Sequence, residues 1–175
     1  MSSRAWIENR TPRAQLALGA VGMVAFCVFA RCWRDTAHVV YDVPASFAVF
    51  SFIGQLLLEG IRDRRTRFWT ARFGLLVAMT VVCFGRHFFG WSISGHLSCV
   101  LAVALVQTAD RRLPAIERAA YWAPLPLVLA IRWFLFDEGD HWQTYHALLF
   151  AFIATLPAIG LARTSAPEPD TSSSR

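Results

Sequence analysis

Residues 72–109 read RFGLLVAMTVVCFGRHFFGWSISGHLSCVLAVALVQTA. Two apolar runs, 72–89 and 95–109, meet at a junction that holds Arg86, His87, Ser92, Ser94 and His96. A helix of roughly 17 to 25 mostly apolar residues crosses a bilayer, so the pair reads as two neighbouring membrane helices. The same pattern recurs outward in both directions. Six stretches qualify, near 13–30, 44–61, 72–89, 95–109, 119–136 and 145–162, and the second and fourth are the short ones. Composition agrees: 55% of the 175 residues are hydrophobic and 14% aromatic, with a mean hydropathy of +0.41, far above a soluble domain of this size. The expected fold class is all-α, a polytopic membrane protein built as a six-transmembrane-helix bundle. Residues 1–12 form an N-terminal segment, 13–162 the membrane domain, and 163–175, rich in Pro, Ser and acids, a disordered tail.

The charges supply an orientation. All 17 basic residues are arginine, and most fall in alternate connections: Arg4, Arg10 and Arg13, then Arg62, Arg64, Arg65 and Arg67, then Arg111, Arg112 and Arg118, and finally Arg163 and Arg175. The positive-inside rule places those connections and both termini in the cytoplasm. The connections near 31–43, 87–95 and 137–144 face outward and carry the acids Asp35, Asp42, Asp137, Glu138 and Asp140. Trp33, Trp91 and Trp142 fall at outer ends and Trp69 and Trp122 at inner ends, where amphipathic rings prefer to sit. The net charge of +5 is therefore a topology signal. With no long basic face, nucleic acid is not an expected partner. The first apolar run is followed directly by Arg31 without a small-residue cleavage pattern, which reads as a retained helix and not a signal peptide. Cys27, Cys83 and Cys99 lie inside apolar runs and Cys32 at an outer end, without Cys-x-x-Cys spacing, and read as small core residues.

All five histidines, His38, His87, His96, His141 and His146, fall in outward connections or outermost helical turns. Arg132 lies about one turn inside the outer end of the fifth stretch, where an arginine is costly unless it snorkels, pairs with Asp137 or Glu138, or meets an anion.

Ser94-Gly95-His96 at the start of the fourth stretch, with Arg132 and His141 across the next outward connection, resembles the type 2 phosphatidic acid phosphatase superfamily. That family has six membrane helices, a Lys-x6-Arg-Pro element, a Pro-Ser-Gly-His element before the fourth helix, and Ser-Arg-x5-His-x3-Asp before the sixth. The chain departs from it in specific ways. It contains no lysine; Arg65 and Arg72 have the spacing of the first element but lie on the cytoplasmic side, so Arg86 is the stand-in. Arg132 and His141 are nine positions apart instead of six, and Tyr145 stands where the family aspartate falls.

The resemblance implies a metal-independent lipid phosphate phosphatase or phosphotransferase, using no cofactor and acting at the outer face on a phospholipid or isoprenoid phosphate. His141 is then the nucleophile that forms a phosphohistidine, and His96 the acid and base. Arg132, Arg86, Ser94, Gly95 and His87 bind the phosphate, with backbone amides at the helix N-terminus as further donors. Tyr145, Asp137 or Asp140 orients His141. Two alternatives use the same residues: a metal or haem site from His87, His96, His141 and His146, or a noncatalytic lipid-binding or assembly subunit with the same fold. Arginine used to the exclusion of lysine suggests a GC-rich genome and hence a bacterial inner membrane, with the site facing the periplasm.

A label at position 115 should therefore report cytoplasm and one at 139 the outer compartment. Cysteine accessibility in intact cells checks this, and labels found in the same compartment would rule out the six-span orientation.

Overall fold

The structure is a computed structural model. It describes the backbone of residues 3–32, 35–63, 67–111, 113–135 and 141–164, with side chains in those ranges except 3–13, 60–63, 135, 141, 163 and 164. Helices α1 (Ser3–Ala30), α2 (Thr36–Asp63), α3 (Arg67–Phe89), α4 (Gly95–Ala109), α5 (Ala115–Ala120), α6 (Pro124–Leu135) and α7 (His141–Thr164) follow one another, and no strand occurs among the described residues. Three of them are long and apolar enough to cross a membrane, over Thr36–Glu59, Arg67–Phe89 and Trp142–Ala162; Ala14–Ala30 and Gly95–Ala109 are shorter apolar helices. The described part of the chain is thus all-helical, with three helices able to span a membrane. Along α3 the exposed residues Phe73, Val77, Val81, Phe84 and Phe88 form an apolar stripe, and α7 exposes Leu149, Phe152, Ile153 and Leu156. Exposed apolar surface this continuous is a membrane-facing exterior.

The bundle is organised around α4, which touches α2, α3, α5, α6 and α7. Mostly apolar around its middle turns, α4 is largely enclosed, and Val100, Ala102, Val103, Ala104 and Val106 are fully buried. Its small residues let neighbours approach closely, as membrane helices require. Helix α1 packs on α2 by the same means. A Cβ placed on Gly19 would stand 2.9 Å from the Ser51 backbone, and one on Gly22 2.7 Å from the Phe50 ring.

Several expected starts move earlier, α1 to Ser3, α3 to Arg67 and α7 to His141, and two further changes have a local cause. The second stretch is expected near 44–61, but α2 begins at Thr36 and carries Pro44 inside it. Asp35 caps this earlier start: the His38 backbone N–H donates to Oδ1 at 2.9 Å, and the His38 ring lies 2.7 Å from Oδ2. Those bonds, the backbone one foremost, hold the Asp35 carboxyl below its ordinary value. Past the proline, the Ser46 hydroxyl donates to the Asp42 and Val43 carbonyls, which lends polar satisfaction near the break in the ladder. The outward connection read as 31–43 thereby shrinks, and Asp42 becomes a buried helical residue. The fifth stretch, 119–136, is two helices, because Pro124 supplies no N–H and disfavours helical backbone at the residue before it. Pro124 instead opens α6, a tolerated position.

Contacts between helix ends define two poles. Asp42 of α2 meets His96 of α4, and the α3–α4 junction meets the start of α7, at one pole. At the other, Arg72 of α3 is fully buried, paired with Glu59 of α2 and 3.5 Å from Asp110 after α4, with its guanidinium 4.5 Å from the Phe68 ring centre. Gln55 donates to Glu59 at 2.8 Å and receives the Gln107 amide, so α2, α3 and α4 share one polar network there. Truncating a buried charge leaves its partners desolvated, whereas neutralising them together does not. Arg72→Met should cost about 3–5 kcal/mol, and adding Glu59→Gln and Asp110→Asn should recover much of it. Denaturation in detergent micelles measures both.

Candidate functional site

The site at the histidine pole is assembled from the junction outward. Helix α3 ends at Gly90, whose φ of +65° is the left-handed conformation that glycine adopts without strain. The turn folds Trp91 back onto α3, where its ring occupies the space over Gly85; a Cβ there would come within 2.6 Å of ring atoms. Arg86 then fastens the junction: its Nη1 donates to the Ile93 carbonyl at 2.8 Å and to Oε1 of Gln143 on α7 at 2.7 Å. The Ser94 backbone N–H donates to the Gln143 carbonyl at 3.3 Å, and the His146 ring lies 2.5 Å from the Ser92 carbonyl.

This clamped turn delivers the chain into α4. Ser94 is the N-cap, buried, with its hydroxyl accepting from the Leu97 N–H at 3.5 Å. The amides of Gly95 and His96 stand in the first turn, where backbone donors have no intrahelical acceptor. His96 is the chemical centre of this pole. Its Nε2 lies 2.5 Å from Oδ1 of Asp42, and the Tyr41 ring packs on it with centroids 4.1 Å apart. Asp42 is almost fully buried, while the His96 side chain keeps 23% of its surface. With Nε2–H given to the carboxylate, Nδ1 retains its lone pair, so the carboxylate sets both tautomer and ring orientation. A carboxylate, an oriented imidazole and a helix N-terminus can move a proton and receive an anion.

The other expected residues divide clearly. Arg132 is 5% exposed in the last turn of α6, a helix that packs on α2 and α4. His141 opens α7, but its side chain, like Asp137 and Asp140, lies outside the described residues. Tyr145 is exposed, with its ring against Trp142 at 6.3 Å. His87 is exposed and meets Phe88 edge-on. Among the described residues no three His, Cys, Asp or Glu side chains converge to hold a metal ion; His87, His96 and His146 each face different neighbours. Arg72 sits near the start of α3, at the pole opposite Ser94.

Three participants escape a reading of motifs: Asp42, Tyr41 and Gln143. A carboxylate within an apolar helix is the one signal that points to Asp42; Tyr41 and Gln143 carry none.

Because Asp42 is buried, its removal strands the imidazole and leaves a polar void between α2 and α4. Asp42→Ala should destabilise the protein by about 1–3 kcal/mol, and Asp42→Asn, which keeps the shape and a hydrogen bond, by less. Thermal melts of both variants give the comparison.

No known protein family, curated protein or solved structure matches this chain.

Proposed function

We propose that the protein is a six-span membrane enzyme, both termini cytoplasmic, that cleaves or transfers the phosphate of a lipid phosphate at its outer face without a metal. The observation that carries this reading is the Asp42–His96 pair, an imidazole oriented by a buried carboxylate at a helix N-terminus. Phosphoryl transfer needs cations around the phosphoryl oxygens, an in-line nucleophile and an acid for the leaving alkoxide. Arg132 supplies a planar fork for two of those oxygens, and the amides of Gly95 and His96 supply further donors.

His141 attacks phosphorus, the bond to the lipid oxygen breaks, and the leaving alkoxide takes its proton from the His96 imidazolium. His96, neutral again, removes a proton from water or an acceptor hydroxyl, which attacks the phosphohistidine and frees His141. Asp42 acts throughout as a positioning residue, holding His96 in one tautomer and balancing its charge.

The noncatalytic reading, a lipid-binding or assembly subunit, is favoured by a different observation. Arg86, the stand-in for the first family element, is committed to the Ile93 carbonyl and Gln143. Alkaline-quench labelling with phosphate-labelled lipids in chelator separates the two. On the catalytic reading the wild type carries an acid-labile label, His141→Ala loses label and turnover, and His96→Ala slows turnover by about 10²- to 10⁴-fold. Neither label nor phosphate release across phosphatidate, sphingolipid phosphate and polyprenyl diphosphate would establish the noncatalytic subunit.

A further inference from the structure

The thiols of Cys83 on α3 and Cys99 on α4 take no part in the chemistry at His96, yet they face each other. Their sulfurs are 3.8 Å apart across the helix interface. Gly95 lies beside the pair, where a Cβ would stand in ordinary contact, 3.4 Å from the Cys83 sulfur. The two differ in access. Cys83 lies on the exposed surface of α3, contrary to its expected place in the core, and Cys99 is 5% exposed inside the bundle. A disulfide has an S–S bond of about 2.05 Å, so closing the gap requires side-chain rotation and a small helix shift.

We infer that Cys83 and Cys99 form a redox pair: a hydroperoxide oxidises Cys83, and Cys99 converts the product into a disulfide that ties α3 to α4. In the first step the Cys83 sulfur, having lost its proton, attacks one peroxide oxygen. The O–O bond breaks, the other oxygen leaves with a proton as alcohol or water, and Cys83 becomes a sulfenic acid, oxidised by two electrons. In the second step the Cys99 sulfur attacks the Cys83 sulfur, the S–O bond breaks, and the oxygen departs as water with the Cys99 proton. Two thiols and one hydroperoxide thus give one disulfide, one water, and one alcohol or a second water. The exposed thiol reacts first and the buried one resolves it, the order that their accessibilities set. The crosslink closes the loop 83–99, which contains Arg86, Ser94 and His96, and so immobilises the turn that carries the site. The oxidant is either a lipid hydroperoxide reaching Cys83 through the membrane or hydrogen peroxide from water.

The test uses the full-length protein in phosphatidylcholine vesicles, treated with linoleoyl hydroperoxide in the bilayer or with hydrogen peroxide in the buffer. Peptide mapping without reduction should find the Cys83 and Cys99 peptides joined, lighter by two hydrogens and separated by dithiothreitol. Cys99→Ser should stop at a sulfenic acid on Cys83 that dimedone traps, and Cys83→Ser should leave Cys99 reduced. A faster reaction in the first arm assigns the lipid oxidant, and in the second the aqueous one. The inference is overturned if both thiols remain alkylatable at doses that oxidise the exposed Cys32 in the same wild-type sample. Crosslinks that join Cys83 to a different chain would overturn it equally.

Discussion

Helix α4 is the most enclosed helix among the described residues. Packed by α2, α3, α5, α6 and α7, it carries Gln107 and Asp110 at its end into surroundings without bulk water, and His96 at its start to a partly buried place. A polar group in such a place must find its partner on a neighbouring helix, since an unmade hydrogen bond there costs far more than a made one contributes. Asp42 answers His96; Gln55 answers Gln107; Arg72 stands beside Asp110. Burial of α4 thereby dictates where polar residues must stand on α2 and α3.

Between the poles the packing is apolar. Ala45, Ala48 and Phe52 on α2, Leu75 and Met79 on α3, and Val100, Val103 and Val106 on α4 are all buried. Helices α2 and α4 run parallel, with 42 opposite 96 and 55 opposite 107, so one register serves both polar contacts. The spacing links the two poles mechanically. A slip of α2 along α4 that broke the histidine contact would break the glutamine contact with it, and both would have to be desolvated without partners.

The junction between α3 and α4 is where rigidity and chemistry meet. The left-handed Gly90, the Trp91 ring over Gly85, and the two hydrogen bonds of Arg86 fix the turn on α7 before Ser94 caps α4. A binding group is precise only when the residues behind it are locked, and here the locking residues come from three helices. Arg86 illustrates the division of labour. Its charge suggests a ligand contact, but its hydrogen bonds show it spent on architecture.

Hydropathy and the placing of polar residues were enough to read from the sequence a helical chain whose apolar segments are able to cross a membrane and are separated by short polar turns. The reason is that both signals are local: a residue prefers lipid or water whatever its distant neighbours. The same local reading located the Ser94–His96 junction and placed Arg72 at the opposite pole. It put the start of α2 near 44, whereas the helix begins at Thr36 and tolerates Pro44 within a bundle that covers it. Only the tertiary structure decided that His96 has a carboxylate on Nε2, that Arg86 is held by Gln143, and that Cys83 faces Cys99. Those pairs join positions 54, 57 and 16 residues apart in the chain. Such contacts arise from the register and rotation of whole helices against one another, which follow from side-chain packing along their full length and leave no trace in any short stretch of sequence.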